Sequence, residues 1–234
     1  MTKAPSYLHW DERTLTSEEL SSPEKSDLIE NLYNEGFVFT RKGKGVMQQT
    51  RSIRIDLSKF ELSSENRRIL KKMEGISLSQ DSLPLTNYDW SLGKLAKDFY
   101  DAKFGPGTFS AQKAKELLSD GSKSNFNALL SYSVSETAEK PAQKIGYGIC
   151  YIGGKIAHYS YPFYDLAVAP KDMGLGMMTM MLRHFKESGL RYAYLGSLQR
   201  PTDTYKLQFK GIEWFDGDAK EWTSDLDTAK KILS

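Results

Sequence analysis

Between Tyr161 and Gly217 the chain carries a carboxylate, Asp165, two phenols, Tyr164 and Tyr205, an ammonium, Lys206, and the turn Gly174-Leu175-Gly176. A glycine-rich turn that opens a helix lets backbone N–H groups converge at the helix's positive end, where a pyrophosphate or the terminal phosphates of an RNA can be held. Asp165 is placed to receive or position a substrate ammonium, or else to satisfy a turn, and both readings are open. The phenols can hydrogen-bond an oxyanion or a leaving hydroxyl. Packing is their alternative use in a chain with 13 tyrosines. Lys206 can neutralise a terminal phosphate, or is a surface lysine on a short helix.

These groups need a frame, and the surrounding pattern supplies one. Phe163 to Val168 is an apolar run suited to a buried strand, ended by Pro170 and the glycine turn. Met177, Met178, Met181, Leu182 and Phe185 then form one broad apolar helical face that stops before Gly189. Tyr192 to Leu195 reads as a strand parallel to the first. Strand, phosphate-type loop, helix, strand and short helix together are the layout of an acyl-transfer core.

Upstream, Leu28, Ile29, Leu32 and Tyr33 predict a short helix ended by Gly36. Phe37-Val38-Phe39 and Val46-Met47 flank Lys42-Gly43-Lys44-Gly45 as a hairpin with a basic tip. Ser52 to Leu57 alternates as a half-buried strand with Arg54 on its polar face. A helix after Ser63-Ser64 carries Arg67, Arg68, Lys71 and Lys72 on one side. Residues 75–89 read as a connecting segment and a domain boundary. Beyond it come helices around Leu92 to Phe99 and Ala111 to Leu118, and a strand over Asn127 to Val134. Glu136 to Lys144 reads as a polar loop, and two strands follow, joined at Gly153-Gly154. The expected fold is α/β: a mixed sheet with flanking helices over residues 90–234, preceded by a small basic α+β domain over residues 1–89.

With 39% hydrophobic and 12% aromatic residues in 234, the chain can build a substantial core. The start, MTKAPSYLHWDERT, lacks the apolar run of a signal peptide, and no segment reaches the ~20 apolar residues of a membrane span. A cytoplasmic protein with no membrane partner is the expectation. Cys150 stands alone and His9, His158 and His184 are scattered, so no metal site is expected. The net charge of +2 conceals an acidic block over residues 1–40, with three Lys/Arg and eight Asp/Glu. Residues 41–72 are basic, with ten Lys/Arg and three Asp/Glu. The basic block includes Arg51, Arg54, Arg67, Arg68, Lys71 and Lys72, a candidate polyanion surface or simply a solvated face.

Leu32 to Phe39 (LYNEGFVF), Arg51-Ser52-Ile53-Arg54-Ile55-Asp56 and Phe60-Glu61-Leu62-Ser63 leading to Asn66-Arg67-Arg68 resemble the N-terminal pattern of the aminoacyl-tRNA protein transferases, the arginyl- and leucyl-transferring enzymes of the N-degron pathway. Gly174-Leu175-Gly176, Tyr192-Ala193-Tyr194-Leu195-Gly196, Tyr205-Lys206, Phe209-Lys210 and Trp222 resemble that family's C-terminal half. The resemblance implies an acetyltransferase-like fold and transfer of an amino acid from charged tRNA to the N-terminal amine of a protein. It implies no cofactor beyond the aminoacyl-tRNA co-substrate. It also marks Gly174, Leu175, Gly176, Tyr194 and Lys206 as substrate-binding and Tyr205 as catalytic, while Asp165, by its place at the strand end, and Tyr164, as a nearby phenol, join the catalytic candidates. The chain departs from the pattern where the family has a cysteine cluster: Met47-Gln48-Gln49-Thr50-Arg51 supplies none. Thr202-Asp203-Thr204 likewise replaces a Cys-x-Lys-Met-like stretch. An acetyl-CoA-dependent N-acetyltransferase, to which the glycine turn is also suited, and a noncatalytic RNA- or peptide-binding relative are the alternatives.

Overall fold

The computed structural model describes residues 9–135 and 142–233. Eleven strands form two sheets among these residues. The larger sheet runs β11 (Glu221–Thr223), β10 (Ile212–Asp216), β4 (Ser52–Asp56), β9 (Tyr192–Ser197), β8 (Ile156–Tyr164), β7 (Gln143–Gly153), β6 (Ala128–Val134), β5 (Ile76–Ser82). Every neighbouring pair in it is antiparallel except β8 and β9, which are parallel. The smaller sheet is β1 (Asp11–Thr14), β3 (Val46–Gln49), β2 (Phe37–Phe39).

Helices cover both faces of the large sheet. One side carries α3 (Ser64–Lys72), α6 (Met173–Glu187) and α7 (Leu226–Leu233), where Met73, Met177, Met181, Phe185 and Leu233 share an apolar cluster with Ile55 and Ala193. The other carries α2 (Lys25–Asn34), α4 (Trp90–Phe104), α5 (Ala111–Ser119) and the small sheet, joined through Leu32, Tyr33, Phe39, Phe99, Leu117 and Ile149. A five-residue helix, α1 (Ser17–Ser21), is closed by a capping box from Thr16 and Glu19. The mixed α/β sheet with flanking helices is the expected fold class. No helix among the described residues is long and apolar enough to cross a membrane.

Four local expectations need correction. The strand expected over Phe163 to Val168 ends at Tyr164, and Leu166 and Val168 are exposed in a turn. Asp165 closes that turn: its Oδ1 accepts from Ala167 N at 2.8 Å and its carbonyl accepts from Ala169 N at 3.0 Å. The preceding residues join 156–160 in one long strand, β8, with Lys155 left in the turn before it; its register against β7 shifts between Cys150–Tyr159 and Ile149–Tyr161 and so accommodates an extra residue. The segment read as a connection over 75–89 contains β5, an edge strand pairing with β6 from Ile76–Val134 to Ser82–Ala128. Its Ser, Gln and Asp residues face water, as an edge tolerates, and the alternation of Ile76-Ser77-Leu78-Ser79 is cut short by the wholly polar Gln80-Asp81-Ser82.

The last correction concerns β4. All five of its residues are buried, Arg54 and Asp56 included, because β4 lies between β9 and β10 with side chains covered on both faces. Hence Arg54 is not on a polar, open face. Strands from both sides of residue 89 share one hydrogen-bonded sheet: β4 and β5 come from the first 89 residues and the other six from beyond. Of the loop read over Glu136 to Lys144, residues 136–141 lie outside the described residues, while Gln143 and Lys144 begin β7.

Candidate active site

The parallel pair β8/β9 holds only briefly. Ile156, Ala157 and His158 align with Tyr192, Ala193 and Tyr194, after which the two strands continue without pairing to Tyr164 and Ser197. Beyond His158 and Tyr194, β8 remains paired with β7 and β9 with β4 but not with each other, so the two strands separate as a wedge within the sheet. The 3-10 helix Pro201–Gln208 closes over this wedge and delivers Lys206. Lys206 is only 8% exposed, and its Nζ donates to Ser197 O at 3.1 Å and pairs with Asp203 Oδ1 at 3.1 Å. These acceptors take two of the ammonium's three hydrogens. Burial lowers the Lys206 pKa from its ordinary value, against the attraction of Asp203. The lysine therefore sits deeper than a surface helix would place it.

His158, which the sequence reading did not select, stands at the apex of the wedge, the last β8 residue paired with β9. Its polar side chain within the apolar run Ile156-Ala157-His158-Tyr159 was the signal available. The imidazole Nδ1 lies 2.9 Å from the Tyr33 hydroxyl, which accepts from Phe39 N at 3.3 Å. The hydroxyl and Nδ1 share one hydrogen bond, whose donor is set by the tautomer of the ring. Burial, then the Lys206 charge, pushes the His158 pKa down from 6.5 to about 3, so the ring is neutral at pH 7. The unfolded chain holds a proton that the folded chain refuses between those two values. Stability is thus complete above pH 6.5 and falls as the pH drops toward 3, by up to about 1.4 kcal/mol per pH unit. Urea unfolding at about pH 7 and about pH 5 is expected to show this acid loss in the native protein and a smaller one in His158→Gln. Identical losses would remove His158 as its source.

Tyr164 ends β8 half-buried, its ring 4.7 Å from that of Phe99. Burial raises its phenol pKa, opposed by the Gly174 N–H directed at the hydroxyl. Tyr205 keeps 45% of its surface open, yet its surroundings push the phenol up to about 12, through desolvation first and then through Asp203 and Tyr164. Lys206 Nζ lies 5.9 Å from the centre of the Tyr205 ring, and Tyr164 acts on the Tyr205 phenol electrostatically, which gathers the three at the mouth of the wedge. Asp165 follows Tyr164 in sequence, with one carboxylate oxygen committed to its turn. Tyr194, by contrast, is wholly buried, edge-on to Tyr33 at 4.7 Å and to Trp222 at 5.7 Å, inside the core rather than on a binding surface.

Gly174, Leu175 and Gly176 lie within the first turn of α6, not in a loop before it. Gly176 N already donates to Asp172 O at 2.9 Å, and a Cβ at Gly176 would come 2.3 Å from Met73 Sδ. That glycine serves the close approach of α3 to α6. Asp172 precedes the helix at φ 67°, in the left-handed region, and its carboxylate pairs with Lys72. The N-terminus of α6 therefore has its own anion, held in place by a basic residue of α3.

The remaining basic residues are dispersed. Arg54 pairs with Glu213 at 2.8 Å between the rings of Tyr192 and Trp222, each centred 4.0 Å from its guanidinium carbon. Arg51 is half-buried, 5.8 Å from the Trp10 ring. Arg68 pairs with Glu65, Arg67 donates to Leu62 O at 2.6 Å, and Lys71 is exposed. Arg67, Arg68 and Lys71 thus remain as the outward part of the basic helix face.

Two surface depressions lie elsewhere. One, of about 500 Å³, is bordered by Lys155, Lys186 and Arg191, and the other, of about 320 Å³, lies between α3, β5 and α6. Neither borders Tyr164, Gly174 or Lys206. The wedge is the stronger candidate because buried titratable groups, Lys206 and His158, lie along it, whereas one depression is lined mainly by water-exposed side chains and the other mainly by Leu70, Met73, Ile76, Leu78 and Met180. No group of His, Cys, Asp and Glu capable of holding a metal occurs among the described residues.

No protein family and no curated protein matches the chain. Among solved structures it is similar to L-PGS from Bacillus licheniformis, at 14% identity and a TM-score of 0.47, over 73% of this chain and 49% of that one. It is similar to FemX at 13% identity and a TM-score of 0.42, over 74% and 60%. The GCN5-related glucosamine N-acetyltransferase region of a fungal multi-domain β-N-acetylglucosaminidase gives 11% identity and a TM-score of 0.45, over 83% and 22%. The chain spans about half the length of the first of these.

Proposed function

We propose that the protein is an acetyltransferase-like aminoacyl-tRNA–protein transferase that moves an arginyl or leucyl residue from charged tRNA to the N-terminal amine of a protein. The observation that carries this reading is the wedge between β8 and β9, with a buried ammonium and two phenols at its mouth. An aminoacyl ester is already activated, so the site has to orient the amine, stabilise the oxyanion and assist the departing ribose hydroxyl. The incoming ammonium first gives one proton to solvent; the amine nitrogen then forms the new C–N bond, the ester C–O bond breaks, and a second proton from the nitrogen ends on the ribose oxygen. No covalent intermediate is needed. Lys206 is placed to stabilise the oxyanion, and Tyr205 or Tyr164 to pass a proton to the leaving oxygen. Asp165, through its second carboxylate oxygen, attracts the incoming ammonium.

The chemistry at α6 supports aminoacyl-tRNA over acetyl-CoA. A pyrophosphate at that helix end would meet the Asp172 carboxylate, and Gly176 is spent on packing against Met73. The sequence resemblance supports the same donor, and the outward cations of α3 supply phosphate contacts that an acetyl-CoA enzyme has no use for.

Incubation with charged tRNA pools and, in parallel, with acetyl-CoA, using peptides of defined N-termini, tests the reading. Transfer from arginyl- or leucyl-tRNA without acetylation is expected; acetylation alone would overturn it. Asp165→Asn keeps the turn acceptor, and Tyr205→Phe keeps the ring. Each is expected to lower turnover about 10- to 100-fold, at the lower end of what proton-transfer and electrostatic groups supply, with the melting temperature unchanged. Full turnover in both variants would leave positioning and backbone donors as the source of catalysis.

A further inference from the structure

A second set of groups borders the wedge without a part in the chemistry above. Along α4 and the residues after it, Phe104, Tyr100, Phe109 and Tyr161 form a continuous run of rings, with centroid separations of 5.5, 4.8 and 5.6 Å. A guanidinium lies at each end. Arg200 is 4.9 Å from the centre of the Phe104 ring, and Arg41 is 5.0 Å from Phe109 and 6.0 Å from Tyr161. The Tyr100 hydroxyl lies in the fields of Arg41, Tyr161, Arg200 and Tyr205, which come from three other segments of the chain.

The charge at this place is not neutralised. Arg41 donates to a backbone carbonyl, Thr108 O, at 2.7 Å, and neither guanidinium is held by a carboxylate among the described residues. Asp203, the nearby acid, is committed to Lys206 and to the backbone amides of Gln199 and Arg200. Phe104 and Tyr205 leave 47% and 45% of their surfaces in water. Tyr100 and Phe109 are buried in the core, so the open part of this run is Phe104, with the exposed Arg200 over it and Tyr205 nearby at the wedge. These are what an unpaired nucleotide requires: a ring for its base and a cation for its phosphate.

We propose that this aromatic ridge seats an unpaired nucleotide at the 3′ end of an RNA, its base stacked on Phe104 or Tyr205 and its phosphate held by Arg200, with Arg41, at the other end of the run, reaching the phosphate of a neighbouring nucleotide. The assignment deepens the aminoacyl-tRNA reading and rests on it for the identity of the RNA. A nucleotide held there brings the ester on its ribose to the wedge, where Tyr164, Tyr205 and Lys206 meet. The outward cations of α3 contact paired phosphates without reading sequence, so the ridge adds a preference for an unpaired end over a blunt one.

Two uncharged RNA hairpins of identical stem test this, one with a four-nucleotide 3′ overhang ending CCA and one blunt. The full chain is expected to bind the overhang about tenfold or more tighter than the blunt form, in line with the stacking of one or two bases. Phe104→Ala and Arg200→Ala are each expected to remove about fivefold or more of that preference and leave blunt-end binding unchanged. Phe104→Trp, which keeps a stacking face, is expected to restore it. Both positions are exposed, so the variants fold, which an unchanged melting temperature verifies. Equal affinity for the two hairpins, or a preference that survives both alanine variants, overturns the ridge. Overhang preference in a protein that transfers nothing from charged tRNA would instead overturn the catalytic reading and leave the ridge standing. Transfer without overhang preference would do the reverse.

Discussion

Arg54→Ala is expected to destabilise the protein by about 3 kcal/mol or more in urea unfolding at neutral pH, which makes it the most damaging single change among the basic residues. Three losses add. Glu213, whose side chain is 15% exposed, keeps only Lys59 at 3.6 Å once its 2.8 Å partner is gone. Asn34 Oδ1 loses its 3.1 Å donor. Tyr192 and Trp222, which sandwich the guanidinium at 4.0 Å on either side, are left facing a void. Arg54→Lys keeps the charge but neither the planar stack nor the fork that reaches Glu213 and Asn34 together, so an intermediate loss is expected. Arg54→Met with Glu213→Leu, which removes both charges and fills the space, is expected to recover much of the stability. A loss under about 1 kcal/mol for Arg54→Ala, accompanied by weakened RNA binding, would return Arg54 to a role as a phosphate contact.

Arg54 also marks the limit of what local pattern discloses. The alternation Ser52, Ile53, Arg54, Ile55, Asp56 is that of a half-exposed strand, and the strand is there. Its neighbours are β10 and β9, about 140 to 160 residues downstream, and no local signal specifies a partner at that distance. Once it is enclosed, its polar residues must find partners inside, and Arg54 takes Glu213 while Asp56 takes Arg191 and Lys59. The elements read most accurately were those whose reason is local. The methionine stripe of α6 and the Lys42 to Gly45 hairpin formed where periodicity or turn chemistry required them, and the hairpin read at Gly153-Gly154 formed one residue on, turning at Gly154-Lys155 with Gly153 paired to Ile156. The site was legible in part for the same reason. Tyr164, Tyr205 and Lys206 come from two segments that the strand-helix-strand unit brings together. His158 acquires its place only where β8 and β9 separate, and Arg41 only where the small sheet meets α4 and α5.

Lys206→Met is expected to lower aminoacyl transfer by about 10²- to 10³-fold in kcat, the scale set by removing one preorganised donor from a developing oxyanion, with little change in KM for the charged tRNA. The variant is also expected to lose stability, because Asp203 Oδ1 then has no cation at 3.1 Å. Lys206→Met with Asp203→Asn separates the two effects. The asparagine carbonyl still accepts from the amides of Gln199 and Arg200, and the uncompensated charge is gone. Stability is therefore expected to return in the double variant while turnover stays low. Return of turnover together with stability would make Lys206 a structural cation only. A pH profile gives an independent readout. Burial lowers the Lys206 pKa, so an enzyme that needs the charged ammonium loses activity on the alkaline side at a pH below the ordinary lysine value of about 10.4, after correction for spontaneous ester hydrolysis. The neutral His158 beside it contributes to that lowering only as part of the desolvating surroundings, since it carries no charge until about pH 3. An alkaline limb that persists unchanged in the double variant belongs to another group, with Tyr205, pushed up to about 12, too high to account for it.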